Sequence, residues 1–301
     1  MSEAAWHIRF GTAGESESFA ALGYRSSADI PAYTARFGLD AFEYQCGRGV
    51  RLGLDKAQAM ARDAAAHDIL FSVHAPYFIS MSSLEEETRL RSVDYILQSC
   101  ALVRALGGRR VIFHSGSCGR QSRGEALDKA LDTMRRIVSA CDAAGYGDLT
   151  LCPETMGKIG QLGTLDEVLA LCAVDPRITP CLDFGHLNAR TLGGIRTRQD
   201  YADLLDRLGE ALGDERAARF HVHFSRIEYT AGGEKRHWTL ADTQFGPEPA
   251  PLLALLAERK LQPVVICESA GTQAEDAVQL RDGYRAQCAA NDAAAPDPTK
   301  Q

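Results

Sequence analysis

The sequence lacks any run of about 18 uncharged apolar residues, so it predicts no transmembrane helix. Met1 to Arg9 contains no basic stretch followed by an apolar run, which predicts no signal peptide and a cytoplasmic protein. The nine cysteines include no CxxC pair, which excludes zinc-finger spacing and favours buried free thiols in a reducing compartment. The net charge of −7 shows no basic excess, which argues against a protein that simply coats DNA.

What the sequence does contain is an alternation of short apolar runs with segments of helical periodicity. Eight runs have the nearly continuous apolar character of strands covered on both faces: 6–11, 41–46, 70–76, 110–116, 149–154, 178–186, 219–225 and 264–269. The helical segments between and after them are 54–66, 84–106, 123–144, 164–173, 199–212, 250–260 and 273–288. Thr164, three residues before Glu167, resembles a capping box. The pattern and the length of 301 residues predict an α/β fold, a (β/α)8 TIM barrel.

A doubly wound open sheet is the structural alternative, and it would usually show fewer strands and a glycine-rich phosphate turn. The FGTAGES segment after the first strand is a lone and weak match to such a turn. No internal linker interrupts the chain, so we expect residues 1–289 to form one domain. Residues 290–301 lack aromatic and branched aliphatic side chains and are predicted to be a flexible tail.

Histidines and carboxylates occur at or just after the ends of the predicted strands. The histidines are His74, His114, His186, His221 and His223, and the carboxylates are Glu154, Asp183 and Glu268. In a barrel these ends converge on one face, where three carboxylates would repel one another without a cation. Imidazole and carboxylate ligands together suit zinc, manganese or iron. His223 lies nearer the strand end than His221, so His223 is the expected ligand and His221 a deeper, hydrogen-bonded residue.

Six segments, taken in order, resemble the metal motifs of the endonuclease IV family. They are VHAPYFIS, IFHSGS, CPETMGKIGQLGT, CLDFGH, HFSRIEY…EKRH and ICES, and the resemblance spans roughly residues 40–270. That family consists of zinc-dependent apurinic/apyrimidinic endonucleases in the xylose-isomerase-like barrel superfamily. The resemblance implies a hydrolase that cleaves damaged double-stranded DNA 5′ to abasic sites in base excision repair.

Carried over by position, the resemblance implies two or three Zn2+ ions, with Mn2+ possible. One ion would bind His74, His114 and Glu154, and a second would share Glu154 and add Asp183, His223 and Glu268. A third would bind His186 and His237. The family has an aspartate two residues before this last histidine, where the present chain has Lys235. Glu234 is adjacent but is expected to project differently, so the third site has either two ligands or is rebuilt from Glu234.

The resemblance also implies how the protein would act on DNA. Glu154 and Glu268 would be catalytic, Glu154 as the bridging ligand and Glu268 as a ligand that also orients the attacking water. Tyr77 and Phe78 take the positions of a Tyr-Leu pair that the family inserts beside the lesion, and an aromatic residue can still act as such a wedge. No membrane and no obligate protein partner are implied. The loops at the C-terminal face supply the positive charge expected near phosphate: Arg48, Arg51, Arg120, Arg123, Lys158, Arg190, Arg196, Arg198, Arg226, Lys235 and Arg236.

A sugar isomerase or epimerase of the same barrel superfamily is the alternative function. One divalent ion held by Glu154, Asp183, His223 and Glu268 would suffice for it, and the two glutamates would exchange a proton beside a carbonyl group. His74, His114 and His237 favour the endonuclease, because a one-metal isomerase has no need of them. Lys235 favours the isomerase. A metal-binding barrel with no catalysis, or with another hydrolase role, is a third possibility.

Overall fold

The computed structural model describes residues 7–294, in which eight parallel strands form a barrel surrounded by helices. The barrel strands are β1 (Arg9–Ala13), β2 (Ala41–Gln45), β3 (Leu70–His74), β4 (Arg110–Phe113), β5 (Thr150–Pro153), β6 (Cys181–Asp183), β7 (His221–Phe224) and β10 (Val264–Cys267). Their order is β5-β4-β3-β2-β1-β10-β7-β6. Isolated parallel bridges, Leu151 with Ile178 and Glu154 with Cys181, join β5 to β6. The predicted (β/α)8 barrel and all eight of its strands are confirmed.

Two further strands, β8 (Arg226–Thr230) and β9 (Gly233–Trp238), form an antiparallel hairpin after β7. The helices that cover the barrel include all seven predicted segments: α3 (Leu54–Ala65), α4 (Glu86–Ala105), α5 (Arg123–Ala143), α6 (Leu165–Cys172), α8 (Arg198–Leu212), α10 (Pro249–Glu258) and α11 (Gln273–Ala294). Short helices were not predicted: α1 (Glu17–Ala21), α2 (Ile30–Arg36), α7 (Phe184–Arg190), α9 (Asp214–Ala218) and a 3-10 turn, Ser27–Asp29.

Several predicted boundaries differ from the structure by a few residues, and two of the differences concern the sixth strand and the C-terminal segment. The sixth strand ends at Asp183 rather than at residue 186, because the Asp183 side chain accepts a hydrogen bond from the His186 backbone N–H and begins helix α7 there. Helix α11 continues to Ala294, so residues 290–294 of the predicted tail are helical. The rest of that segment, 295–301, lies outside the described residues.

The outer and inner faces of the barrel sheet carry different side chains. Large apolar side chains such as Phe42, Phe71 and Phe113 point outward into the main core, against the helices. The barrel interior is narrow: a Cβ atom on Gly11 would lie 2.0 Å from the Ala41 carbonyl oxygen, so only glycine fits there. Two small apolar clusters, which include Ile266 and Ile112, lie apart from the main core, and buried polar side chains such as those of Glu43, Ser72 and His221 lie on the barrel strands. The polar site lies at the C-terminal end of these strands.

The structure bears on two features that the sequence lacks, a transmembrane helix and paired cysteines. Within residues 7–294, no helix combines the length and apolarity that crossing a bilayer requires. All nine cysteines are free, and eight are buried, as predicted; Cys288 is partly exposed.

The side chain of Glu167 links helix α6 to Arg123 at the start of helix α5. Its pKa predicts how the stability of the protein depends on pH. The predicted capping box is present, and Arg123 Nε donates to Glu167 Oε1 at 2.8 Å. Burial acts to raise the pKa of Glu167, but Arg123 and the backbone N–H groups of Gly163 and Thr164 outweigh burial and lower that pKa to about 2. The folded-state pKa is below the unfolded value, so the contribution is fully present above pH ~4.5 and is lost as pH falls towards about 2.

We expect Glu167→Gln to lower the free energy of unfolding by about 1 kcal/mol at pH 7, after allowance for solvent screening. Urea unfolding of the wild type and the variant at pH 7 and pH 3 measures this, and the difference should shrink at pH 3. Glu210→Gln, on the exposed face of helix α8, is the control. A difference that does not change with pH would contradict the assignment.

Candidate metal centre

The C-terminal ends of the strands surround a cavity of about 390 Å³. All eight residues predicted as metal ligands meet there. Six line the cavity: His74, His114, Glu154, His186, His237 and Glu268. Asp183 and His223 are fully buried and belong to the same clusters of possible ligand atoms.

The first group of possible ligands consists of His74, His114 and Glu154, at or just after the ends of β3, β4 and β5. Glu154 Oε2 is 3.1 Å from His74 Nε2 and 3.2 Å from His114 Nε2. His74 Nδ1 lies 2.9 Å from the Ala75 carbonyl oxygen and can donate to it, which leaves Nε2 to face Glu154. Burial opposes protonation of His74, but the hydrogen bond and charge of Glu154 prevail and raise its pKa to about 9. At His114 burial prevails, and its pKa is lowered.

The second group shares Glu154 and adds Asp183, His223 and Glu268. His223 Nδ1 is 3.0 Å from Glu154 Oε1 and 3.5 Å from Glu268 Oε1. Burial, with the charges of Glu154 and Asp183, raises the pKa of Glu268. Burial also acts to raise the pKa of Glu154, but the surrounding histidines outweigh it and hold that pKa well below its usual range. Glu154 therefore stays a carboxylate at the junction of both groups.

Asp183 carries an oxygen that the protein leaves without a hydrogen bond. Its Oδ1 accepts from the His186 backbone N–H at 2.7 Å, whereas the buried Oδ2 has no hydrogen-bond partner. His186 Nδ1 is only 3.1 Å from that Oδ2, but it is also 3.0 Å from the Thr155 carbonyl, to which it can donate. A buried carboxylate oxygen without a partner is costly, so the arrangement fits a bound cation.

The third group consists of His186, Glu234 and His237, and it corrects one expectation. Glu234 does not project away from the histidines: its Oε2 is 3.4 Å from His186 Nε2. The rings of His186 and His237 are 5.4 Å apart between centroids. Lys235, in the position of the family's aspartate, is exposed and forms an ion pair with Glu228 at 2.5 Å. The third group thus has three members, with Glu234 as its carboxylate.

A bulge in strand β9 explains why Glu234 rather than Lys235 reaches the site. Glu228 pairs with Arg236, whereas the next residue, Tyr229, pairs with Glu234, so Lys235 is an extra residue on β9. Alternate residues share a face in a regular strand, and one extra residue changes that spacing from two to three. The carboxylate of Glu234 therefore faces the same side as the histidine three residues later.

Gly157 lets the hairpin close over the cavity. A Cβ atom at Gly157 would lie 2.5 Å from Glu234 Cβ and 3.0 Å from His186 Cδ2. The Gly157 carbonyl accepts a hydrogen bond from the Glu234 N–H at 3.1 Å, and Gly232 accepts one from Ile159. The glycine after strand β5 is therefore part of what places Glu234 in the third group.

The three groups fit divalent metal ions by the chemistry of their donors. Each group brings imidazole nitrogens and carboxylate oxygens within 4.8 Å of one another, which is close enough for them to hold one ion. Such mixed nitrogen and oxygen sets suit zinc or manganese. Several buried carboxylates lie close together at the C-terminal opening of the barrel, which we call the mouth. They would repel one another without positive charge, which either protonated histidines or metal ions can supply.

Glu43 is a buried carboxylate that the sequence reasoning missed. It lies inside the barrel on β2, and its oxygens are 2.9 Å from His221 Nε2 and 2.9 Å from His223 Nε2. Ser72 Oγ donates to it at 3.0 Å. His221 is thus a deeper, hydrogen-bonded residue, as predicted; burial prevails over Glu43 and lowers the pKa of His221 to about 4. The available signal was one charged residue inside the apolar run AFEYQC.

We expect Glu43→Gln to weaken metal binding by roughly 10- to 100-fold, because Glu43 contacts the His223 nitrogen opposite the one that faces Glu154. Chelator competition on wild-type and variant protein measures the affinity. Ser72→Ala, which removes another contact of Glu43 but no charge, is the matched comparison and should have a smaller effect. Equal affinity in wild type and Glu43→Gln, with circular dichroism showing both folded, would refute the positioning role.

Tyr77 and Phe78, the predicted DNA-contacting residues, are exposed on the loop after β3. They are 51% and 44% exposed, and their ring centroids lie 4.8 Å apart. Tyr77 also lines the cavity, and its hydroxyl accepts a hydrogen bond from Arg48 Nε at 3.1 Å. Two large aromatic side chains thus project at the rim of the candidate centre.

The loops around the cavity carry less unpaired positive charge than their sequence suggests. Five of the basic residues form ion pairs with carboxylates: Arg123, Arg198, Arg226, Lys235 and Arg236. Arg190 and Arg196 donate to backbone carbonyl groups. Lys158 is exposed and lines the cavity. The positive field at the mouth therefore depends on fewer side chains than predicted.

Residues 31–288 match the family described as xylose isomerase-like TIM barrel. The chain belongs to this family. It is 32% identical over 249 residues to the uncharacterized protein MJ0133 of Methanocaldococcus jannaschii, covering 83% of this chain and 88% of that protein. It is 26% identical over 200 residues to a probable endonuclease 4 of Mycoplasma pneumoniae, covering 64% of this chain and 65% of that protein.

Solved structures of two kinds of protein are similar to this chain. Endonuclease IV from Thermus thermophilus superposes with a TM-score of 0.67, covering 94% of this chain and 99% of that one. A D-tagatose 3-epimerase-like protein superposes with a TM-score of 0.70, covering 96% and 100%. Both are 20% identical to this chain, so these likenesses show the fold alone.

Proposed function

We propose that this protein is a metal-dependent phosphodiesterase that cleaves double-stranded DNA 5′ to abasic sites. The observation that carries the proposal is the third group, His186, Glu234 and His237, beside the first two. Together the groups offer ligands for two or three ions. We propose that these ions are Zn2+, with Mn2+ as the alternative. Relatives named probable endonuclease 4 support the same activity.

Different residues of the mouth have different roles in the proposed hydrolysis of a phosphodiester. Bound divalent ions would lower the pKa of water and neutralise negative charge on the scissile phosphate. Glu154 contacts histidines of all three groups and so fixes the spacing of their ligand atoms. Glu268 lies at the cavity wall, where its carboxylate can accept the proton of the attacking water.

Three further residues suit the mouth to DNA with a missing base. Tyr77 and Phe78 present aromatic surface at the rim, where they can enter the base stack and hold the abasic sugar outside it. Lys158, exposed at the cavity, is placed to contact a phosphate oxygen.

A sugar epimerase is the second candidate, and a specific observation favours it. The four residues Glu154, Asp183, His223 and Glu268 alone form a compact group for one divalent ion, with two glutamates able to move a proton beside a carbonyl. His74, His114 and His237 are not needed to hold that single ion. The two functions therefore differ in the number of ions that they need.

The deciding experiment uses a DNA duplex with one tetrahydrofuran abasic analogue and protein reconstituted with Zn2+ or Mn2+. We expect a single incision 5′ to the analogue and none in the undamaged duplex. A parallel reaction with ketoses in D2O measures proton exchange beside the carbonyl. No incision at enzyme excess with either metal would sink the endonuclease proposal, and exchange into a ketose would establish the epimerase.

Phe78→Ala should lower kcat/KM for incision by roughly 10- to 100-fold, because stacking on a base is lost while the metal ligands are untouched. Phe78→Leu, which keeps an apolar wedge, should retain most of the activity. Steady-state kinetics and the metal content of both variants are the measurements. If Phe78→Ala cleaves as well as the wild type, the aromatic pair only covers the rim.

A further inference from the structure

A second cavity, of about 290 Å³, lies at the opposite end of the barrel from the metal centre. It is formed where strands begin: Leu70 starts β3, Arg110 starts β4 and Thr150 starts β5. The remaining lining residues are Arg109, Thr179, Glu215, Arg216 and Arg219. From Arg110 to His114 the chain advances four residues, roughly 13 Å of extended strand. A single phosphate group therefore cannot reach both cavities.

The cavity concentrates positive charge in an acidic chain. Four guanidinium groups line it and one carboxylate, that of Glu215, although the whole chain carries a net charge of −7. Arg109, Arg216 and Arg219 form no ion pair with any carboxylate of residues 7–294. Like charges brought together in a concave site repel one another and attract anions.

Hydrogen bonds to backbone carbonyl groups hold two of the arginines in place. Arg110 is buried and donates from Nη1 to the Phe220 carbonyl at 2.9 Å and from Nη2 to the Arg219 carbonyl at 2.5 Å. Arg216 Nη2 donates to the Ile178 carbonyl at 2.5 Å and to the Cys172 carbonyl at 3.0 Å. The Nε atom of Arg216 is buried with no hydrogen-bond partner. Two of the arginine side chains that line the cavity are therefore held in position by the backbone, and one of them, Arg216, keeps an N–H donor without a partner.

We propose that this cavity is a binding site for the phosphate group of a small molecule, separate from the metal centre and independent of metal. Guanidinium groups pair with phosphate through two parallel hydrogen bonds, and hydroxyl groups such as those of Thr150 and Thr179 can add further ones. A phosphate dianion matches the charge of four arginines and one glutamate better than a carboxylate does. The proposal does not depend on the reaction at the other end of the barrel.

Calorimetric titration of chelator-treated protein with inorganic phosphate, at fixed ionic strength, tests the site. We expect one phosphate per chain, and a dissociation constant that rises on the order of tenfold or more in Arg109→Gln and in Arg219→Gln. Arg62→Gln, an exposed arginine on helix α3, and Lys158→Gln, at the metal centre, should bind as the wild type does. Glycerol 3-phosphate in place of inorganic phosphate distinguishes a phosphate ester from free phosphate, according to which binds more tightly.

Thermal unfolding separates binding from a structural role of the arginines. Phosphate should raise the midpoint of the wild type and leave the two cavity variants unchanged, while all three unfold alike without phosphate. The proposal is overturned if phosphate does not bind, or if binding disappears on chelation or in Lys158→Gln. It is also overturned if the cavity variants bind phosphate as well as Arg62→Gln does.

Discussion

Glu154→Gln should abolish incision at abasic sites and remove most of the bound metal, while the barrel stays folded. Glu154 Oε2 faces His74 and His114 within 3.2 Å, and Oε1 faces His223 at 3.0 Å. Glutamine has almost the same shape, but it removes the negative charge and offers one acceptor oxygen instead of two. Two of the three groups would then lack their shared carboxylate.

The expected loss in kcat is on the order of 10³-fold or more, because several kcal/mol of charge stabilisation depends on ions held by this residue. Inductively coupled plasma mass spectrometry gives the ions per chain, and a single-turnover incision assay gives the rate. Glu210→Gln on helix α8 is the matched control with the same chemical change at an exposed position. Full metal content in Glu154→Gln would show that Glu154 is not a shared ligand.

Glu234→Gln should lower the number of bound ions by one and leave the other two groups loaded. Glu234 is the carboxylate of the third group, and its Oε2 is buried without a hydrogen-bond partner. Removing its charge leaves the third group with His186 and His237 alone. We expect incision to fall by roughly 10²-fold, since one of the groups that stabilise charge on the phosphate is lost.

Lys235→Gln is the control for this prediction, because Lys235 is the adjacent residue on the other face of β9 and pairs with Glu228. It should keep all ions and most of the activity.

Deleting Lys235 is a stricter test. The deletion removes the bulge and leaves a glutamate two residues before His237, on the same face of a regular strand. That deletion variant should retain the third ion. Loss of an ion in Lys235→Gln, with none lost in Glu234→Gln, would reverse the assignment.

Much of the fold could be predicted because each strand and most helices of the barrel leave a recognisable pattern of apolar residues in the local sequence. Strands covered on both faces are largely apolar, and the helices between them carry periodic apolar faces, so eight strands and seven helical segments were visible. The short helices α1, α2, α7 and α9 were missed because five to seven residues are too few to show a period. At Asp183 a capping side chain ended a strand that its sequence would have continued.

The candidate site was predictable for a related reason. In a parallel barrel every strand end lies on one face, so chemistry-bearing residues at strand ends are near one another whatever their separation in sequence. That rule identified His74, His114, Glu154, Asp183 and Glu268 from the sequence alone. It did not find Glu43, because Glu43 lies in the middle of β2, where a charged residue is expected only if partners inside the barrel satisfy it.

The sequence by itself determined the barrel and the mouth at which its polar residues collect, because both follow from periodicity and strand direction. The tertiary structure decided which neighbour of Lys235 enters the site, since a single-residue bulge changes the face of every residue before it. It also decided which arginines remain for a ligand: those of the loops are largely paired, whereas those at the N-terminal end face a cavity. Pairing of charges is a property of distances between segments, and those distances exist only in the folded chain.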